Sequence, residues 1–188
     1  MGVLSIAEIR RGKVIVLDGK PYVVTENTFN KRAQRTGMME TKLKNLLTGE
    51  VLPRTFRGGD MAEEANVSYQ RCQYLYASGE NHNFMNNTTF EQFSLPADQL
   101  GLGAKFLVEG NDVDTMYFND QPVGIELPAK IILKVKESPP SVKGDTATSA
   151  SKQVVLETGH VVNVPLFIKE GDKVKVNTET GEYVERAN

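Results

Sequence analysis

The chain has no tryptophan, one cysteine and two histidines among 188 residues, and aromatic residues make up only 7% of it. One cysteine excludes an internal disulfide, and Cys72, in the strand-like run "RCQYLY", reads as a structural thiol. Two histidines far apart, His82 and His160, with no Cys or His neighbours offer no metal-ligand spacing. Also missing are a Gly-x-Ser-x-Gly elbow, a phosphate loop and a dinucleotide fingerprint, so no enzyme and no cofactor is expected. The "GLG" of "QLGLGAK" does not follow a strand and is discounted. No apolar run approaches the roughly 18 residues of a membrane span, and no secretory leader opens the sequence, so a cytoplasmic protein without membrane contact is expected.

What is present is alternation. Short β-branched and apolar runs recur between turn residues, as in "KVIVLDGKPYVVTENTF", "METKLKNLLTGEVLPRTF", "DTMYFNDQPVGIEL" and "QVVLETGHVVNVPLFI". Thr-Gly marks reversals at Thr48-Gly49, Thr158-Gly159 and Thr180-Gly181, while Asp18-Gly19 and Asn119-Asp120 each precede a proline by one residue. Strands this short favour an all-β chain of small barrels. Breaks near "RGGDMAEEAN" and "ELPAK" divide it into three domains, 1–63, 64–127 and 128–188. Only "SLPADQLGLGAKFLVEG" reads as helical, with Pro96 in a first turn and Leu95, Leu100 and Leu102 as a weak apolar stripe.

The net charge of −2 hides a strong asymmetry. Residues 1–63 hold 11 basic against 7 acidic residues, 64–126 hold 2 against 9, and 127–188 hold 9 against 8. Such segregation suits a molecule that presents different faces to different parts of one partner, or it is chance on solvated surfaces. The most cationic stretch, "FNKRAQRTGMM", falls between two strands and places Lys31, Arg32, Ala33, Gln34 and Arg35 at a hairpin tip. Strands of about six residues would carry that tip roughly 20 Å beyond a barrel.

Specific motifs narrow the reading. The last third carries Gly144-Asp145-Thr146, then Lys152, Gly159, Val162, Val164, Pro165, Ile168 and Gly171, and closes on Thr180-Gly181-Glu182-Tyr183 with Arg186. With "GKVIVLDGKPYVV", "KLKNLLTGEVLPRTFRGGD" and "YLYASGENHNFMNNTTFEQF", this stretch resembles the bacterial elongation factor P family from end to end. The resemblance implies an SH3-like (KOW-like) barrel followed by two OB-fold barrels, in an L-shaped outline similar to a transfer RNA. It implies a monomeric translation factor whose partners are the 70S ribosome, its ribosomal RNA and the peptidyl-tRNA in the P site. Such a factor sits between the peptidyl and exit sites and promotes peptide bonds at consecutive prolines by holding the CCA end. It is not itself an enzyme. Contacts to mRNA, tRNA or ribosome are implied for Gly144, Asp145, Thr146, Tyr183 and Arg186, the last two as a stacking and phosphate-contacting pair.

The tip departs from the family. Its commonest loop is Lys-Pro-Gly-Lys-Gly, the second Lys being extended by a lysyl-type modification, and another branch glycosylates an Arg there. Gln34 occupies that position, and an amide has neither the amine nor the guanidinium that these modifications need. Three readings stay open: Gln34 works unmodified with Arg32 and Arg35 supplying charge, or Lys31, Arg32 or Arg35 is the working or modified tip, or the chain is a divergent paralogue. A reading of a different class is a free OB-fold RNA-binding module or RNA chaperone, against which the scarce aromatics and the acidic middle weigh.

Overall fold

The computed structural model describes residues 2–30, 37–139 and 151–187. They form three antiparallel sheets of six, five and five strands, each from one continuous stretch of chain.

The first sheet contains β1 (Val3–Ser5), β2 (Val14–Leu17), β3 (Lys20–Asn30), β4 (Met38–Asn45), β5 (Val51–Arg57) and β6 (Met61–Glu64), in the order β1-β6-β2-β3-β4-β5. Alternation puts Ile15, Val24, Leu43 and Phe56 inside with Ile9 and Leu4, leaving polar residues outside. Asp18 and Gly19 both take positive φ, 50° and 74°, the primed turn whose twist matches the strands it joins. Met61–Glu64, read from the sequence as part of a break, is instead a strand paired to both β1 and β2. Glu63 is exposed, Ala62 enters the core, and Glu64, on the same side of the strand as Ala62, pairs with Lys13 at 2.7 Å.

β7 (Val67–Ser78), β8 (Asn81–Asn86), β9 (Gln92–Pro96), β10 (Asp112–Phe118) and β11 (Gln121–Glu126) make the second sheet, in the order β11-β10-β7-β8-β9. The few aromatic residues are concentrated here: Tyr74, Phe84, Phe93 and Tyr117 form a continuous chain of ring contacts, and His82 joins it. Cys72 is fully buried among them. The Asn119-Asp120 turn again takes two positive φ values, 50° and 60°. Where β10 meets β11 a bulge intervenes: Met116 pairs Gly124 and Tyr117 pairs Pro122, leaving Val123 unopposed.

The third sheet, β14-β13-β12-β15-β16, is built from β12 (Lys130–Glu137), β13 (Ser151–Leu156), β14 (Val161–Pro165), β15 (Lys173–Asn177) and β16 (Tyr183–Ala187). Its core is aliphatic, with Leu133, Val135, Val154, Leu156, Val164, Ile168, Val174 and Val176 all at 2% exposure or less.

Between β9 and β10 lie α1 (Ala97–Leu100) and a 3-10 helix, Gly101–Phe106. Pro96 stands just before α1, at its cap, and not within its first turn. The expected single apolar stripe is divided: Leu100 and Leu107 enter the second core, whereas Leu102 and Phe106 pack into the third. The ring of Phe106 meets that of His160 edge-on, 5.4 Å between centroids.

Candidate functional site

Lys31, Arg32, Ala33, Gln34 and Arg35 lie outside the described residues, as do Gly144, Asp145 and Thr146. What is described is the stem that carries the first group. Asn30 pairs Met38 and Phe29 pairs Met39, while β5 flanks β4 through Met38↔Arg57 and Thr41↔Arg54. The stem is therefore a three-stranded blade, stiffer than a lone hairpin. Phe29 lies across Gly37: a Cβ built on Gly37 would stand 2.6 Å from its Cζ. The Gly37 carbonyl accepts the amide of Gly58 at 2.9 Å, tying the stem to the end of β5.

Two cations on this blade escaped the sequence reading. Arg54 and Arg57 are exposed on β5, and neither forms a salt bridge among the described residues. The Arg54 guanidinium sits 5.3 Å above the Phe56 ring. Their signal was available in "PRTFRGG", a pair of arginines on a strand that the first-domain charge balance already marked as basic.

Tyr183 and Arg186 both lie on β16, an edge strand of the third sheet. Three residues apart in a regular strand, they would face opposite sides. The register shift between Lys175 and Val176 changes this: Tyr183 pairs Val176 and Arg186 pairs Val174, both inward positions. Tyr183 packs against the core, and Arg186 donates to Asp172 at 2.8 Å. The Lys169 amide, and then the Arg186 guanidinium, hold the Asp172 carboxyl below its ordinary value. The guanidinium thus reaches a phosphate only while sharing or releasing its carboxylate.

The reversals read at Thr48-Gly49 and Thr180-Gly181 are turns, and they belong to a recurrent pattern whose Asn and whose third copy the sequence reading missed. Asn45-x-x-Thr48-Gly49-Glu50, Asn86-x-x-Thr89-Phe90-Glu91 and Asn177-x-x-Thr180-Gly181-Glu182 share one pattern, one in each sheet. In each the Asn carbonyl accepts the amide four residues on at 2.9 Å, and the Asn side chain accepts two further turn amides. The residue before Glu has positive φ every time: Gly49 77°, Phe90 62° and Gly181 77°.

The first of these turns meets α1. A Cβ on Gly49 would lie 2.7 Å from the Asp98 carbonyl oxygen, and Lys44 Nζ donates to the Gln99 carbonyl at 2.9 Å. Burial pushes the Lys44 ammonium below its ordinary pKa, and Asp98 nearby opposes the shift. The apolar side of the same junction is Val14, Leu46 and Ala65 against Met116 and Val123. The third turn meets the 3-10 helix through Gly181 and Leu102, and Arg11 before β2 bridges to Glu179 at 3.0 Å.

Against known proteins, residues 5–62 match the model described as "Elongation factor P (EF-P) KOW-like domain" and 67–125 match "Elongation factor P (EF-P) OB domain". Residues 131–186 match "Elongation factor P, C-terminal". The protein named elongation factor P from Moorella thermoacetica is 45% identical over 184 residues, spanning 98% of this chain and 100% of that relative. Its namesake from Symbiobacterium thermophilum gives the same figures. The one from Brachyspira hyodysenteriae is 42% identical over 185 residues, covering 98% of this chain and 99% of its own.

Proposed function

The chain belongs to the elongation factor P family, and from that premise we propose that it binds the 70S ribosome between the peptidyl and exit sites and speeds peptide bond formation at consecutive prolines. Proline reacts slowly because its nitrogen is a ring-constrained secondary amine with φ fixed. Holding the CCA end of the peptidyl-tRNA in a reactive pose lowers the entropic part of that barrier without covalent chemistry by the factor. The observation that carries the reading is the tiling of three family domains along the chain, the first bearing the stiff cationic blade.

In this reading the blade enters the phosphate-dense site, where Arg54 and Arg57 add to the charge of Lys31, Arg32 and Arg35. Gln34 acts unmodified, its amide donating to and accepting from the CCA backbone. Gly144-Asp145-Thr146 offers backbone amides and a hydroxyl to phosphate or 2′-OH, and Tyr183 and Arg186 lie on the same barrel. The factor works in the cytoplasm as a monomer, with 1–63, 64–127 and 128–188 as its domains and an L-shaped outline.

A reconstituted translation reaction on a template with consecutive prolines tests this. Added factor should relieve the stall, and Gln34→Ala should weaken relief; no relief by the wild-type protein overturns the proposal. Intact mass of protein from its native host, with fragmentation over residues 29–42, tests the tip. An unmodified mass supports Gln34 as the working residue, and an adduct on Lys31, Arg32 or Arg35 moves that role to the modified side chain. Co-sedimentation with free RNA but not with intact ribosomes would favour the RNA-chaperone reading.

A further inference from the structure

Gln99 is nine-tenths buried on a four-residue helix, where an uncharged amide has no evident local use. Its surroundings explain it. The Leu46 carbonyl belongs to the first turn, just beyond the end of β4, where the ladder to β5 has stopped at Lys44↔Val51. The Val123 carbonyl belongs to the bulge of β11, the residue without an opposite number on β10. Each belongs to a buried residue at a place where its own ladder ends or is interrupted, one in the first barrel and one in the second, and a buried carbonyl left unpaired is costly. Gln99 Nε2 donates to both, at 3.0 Å to Val123 and by a short bond to Leu46. An NH2 group carries two protons, and two carbonyl acceptors define which way the amide must point. The Gln99 main-chain carbonyl meanwhile accepts from Lys44 of the first barrel. One residue thus spans the junction through its side chain and its backbone together.

We propose that Gln99 is a positioning residue that locks the first and second barrels at a single angle, and so sets where the cationic blade reaches relative to the rest of the factor. Apolar packing alone, as between Leu46 and Val123, tolerates sliding, whereas two directional bonds from one amide hold over a narrow range of angles. Bulges commonly end pairing in order to redirect a group, and this one turns a carbonyl toward a neighbouring domain. The functional part of this inference rests on the reading of the previous section; the geometric part stands apart from it.

The test uses the full chain. Spin labels on Lys20→Cys and Glu109→Cys, exposed sites on the first and second units, report the inter-barrel distance while the fully buried Cys72 stays unlabelled. The unsubstituted junction should give one narrow distribution. Gln99→Met, which keeps volume and removes the amide, should broaden it at least about twofold. A distribution as narrow as that of the parent overturns the proposal. Should Gln99→Met fail to fold, residual dipolar couplings of the wild-type protein decide: one alignment tensor for both barrels supports the lock, and two tensors overturn it. In the proline-stall assay, a junction that must be captured in the competent angle raises the half-saturating concentration by about three- to tenfold at unchanged maximal rate. A lowered maximal rate with unchanged half-saturation overturns the positioning role. A wild-type protein inactive in that assay overturns the functional reading only, and the distances then decide the lock.

Discussion

The turn that ends β4 and the turn that ends β8 are built alike and used differently. Both have an Asn whose side chain gathers two amides, a Thr hydroxyl that accepts the amide of the following Glu, and a left-handed residue between them. In the first turn that residue is Gly49, pressed against the Asp98 carbonyl of the next domain. In the second it is Phe90, 69% exposed, at a φ of 62°. Positive φ crowds any Cβ, so glycine would be the unstrained choice at both places. The comparison separates two demands on one backbone shape. Where the turn docks on a neighbour, space admits glycine alone; where it stands free, the backbone tolerates a large side chain at some cost in strain.

The largest effect should come from breaking the docked member. Gly49→Ala adds a Cβ 2.7 Å from a main-chain oxygen at a φ of 77° and should cost about 2–4 kcal/mol in denaturant unfolding. Gly159→Ala, at a φ of 82° with nothing within 4 Å of its Cβ, should cost only about 1 kcal/mol. Equal losses at the two sites would mean that docking adds nothing to the strain. Sharpening the free member runs the other way. Phe90→Gly should stabilise by about 0.5–1 kcal/mol, read as a higher unfolding midpoint.

Lys44 gives the docked turn a pH dependence of its own. Burial depresses its folded-state pKa below 10.5, so the folded chain releases this proton before the unfolded chain does. As pH rises from that depressed value toward 10.5, the stability of wild type relative to Lys44→Met should therefore increase. A difference that is flat or falls across the alkaline range would contradict a buried ammonium. The smallest effect belongs to Arg11→Ala: the pair with Glu179 leaves its side chains 58% and 54% exposed, so stability should change by about 0.5 kcal/mol or less.

Legibility followed the range of the interaction. Asp18-Gly19 and Asn119-Asp120 announced their turns because left-handed backbone is a local demand met by local residue types. Met61–Glu64 was hidden because Gly58-Gly59 and two acids look like a linker, and only pairing with distant β1 and β2 makes it a strand. Phe90 gave no sign of its backbone state, since a bulky residue there contradicts the rule by which left-handed positions are read. Tyr183 and Arg186 were legible as candidates, but the register shift that puts them on one side of β16 was not.

By itself the sequence determined the β character, the primed turns, the family and the basic, acidic and mixed thirds, because each depends on residue identity at short separation. The tertiary structure decided that residues 97–108 serve three domains, that Val123 is left unopposed, and that Gln99 spans a junction. The physical reason is that its partners are backbone carbonyls. Every residue carries one, so a bond to it leaves no trace in the identity of the residue that accepts it.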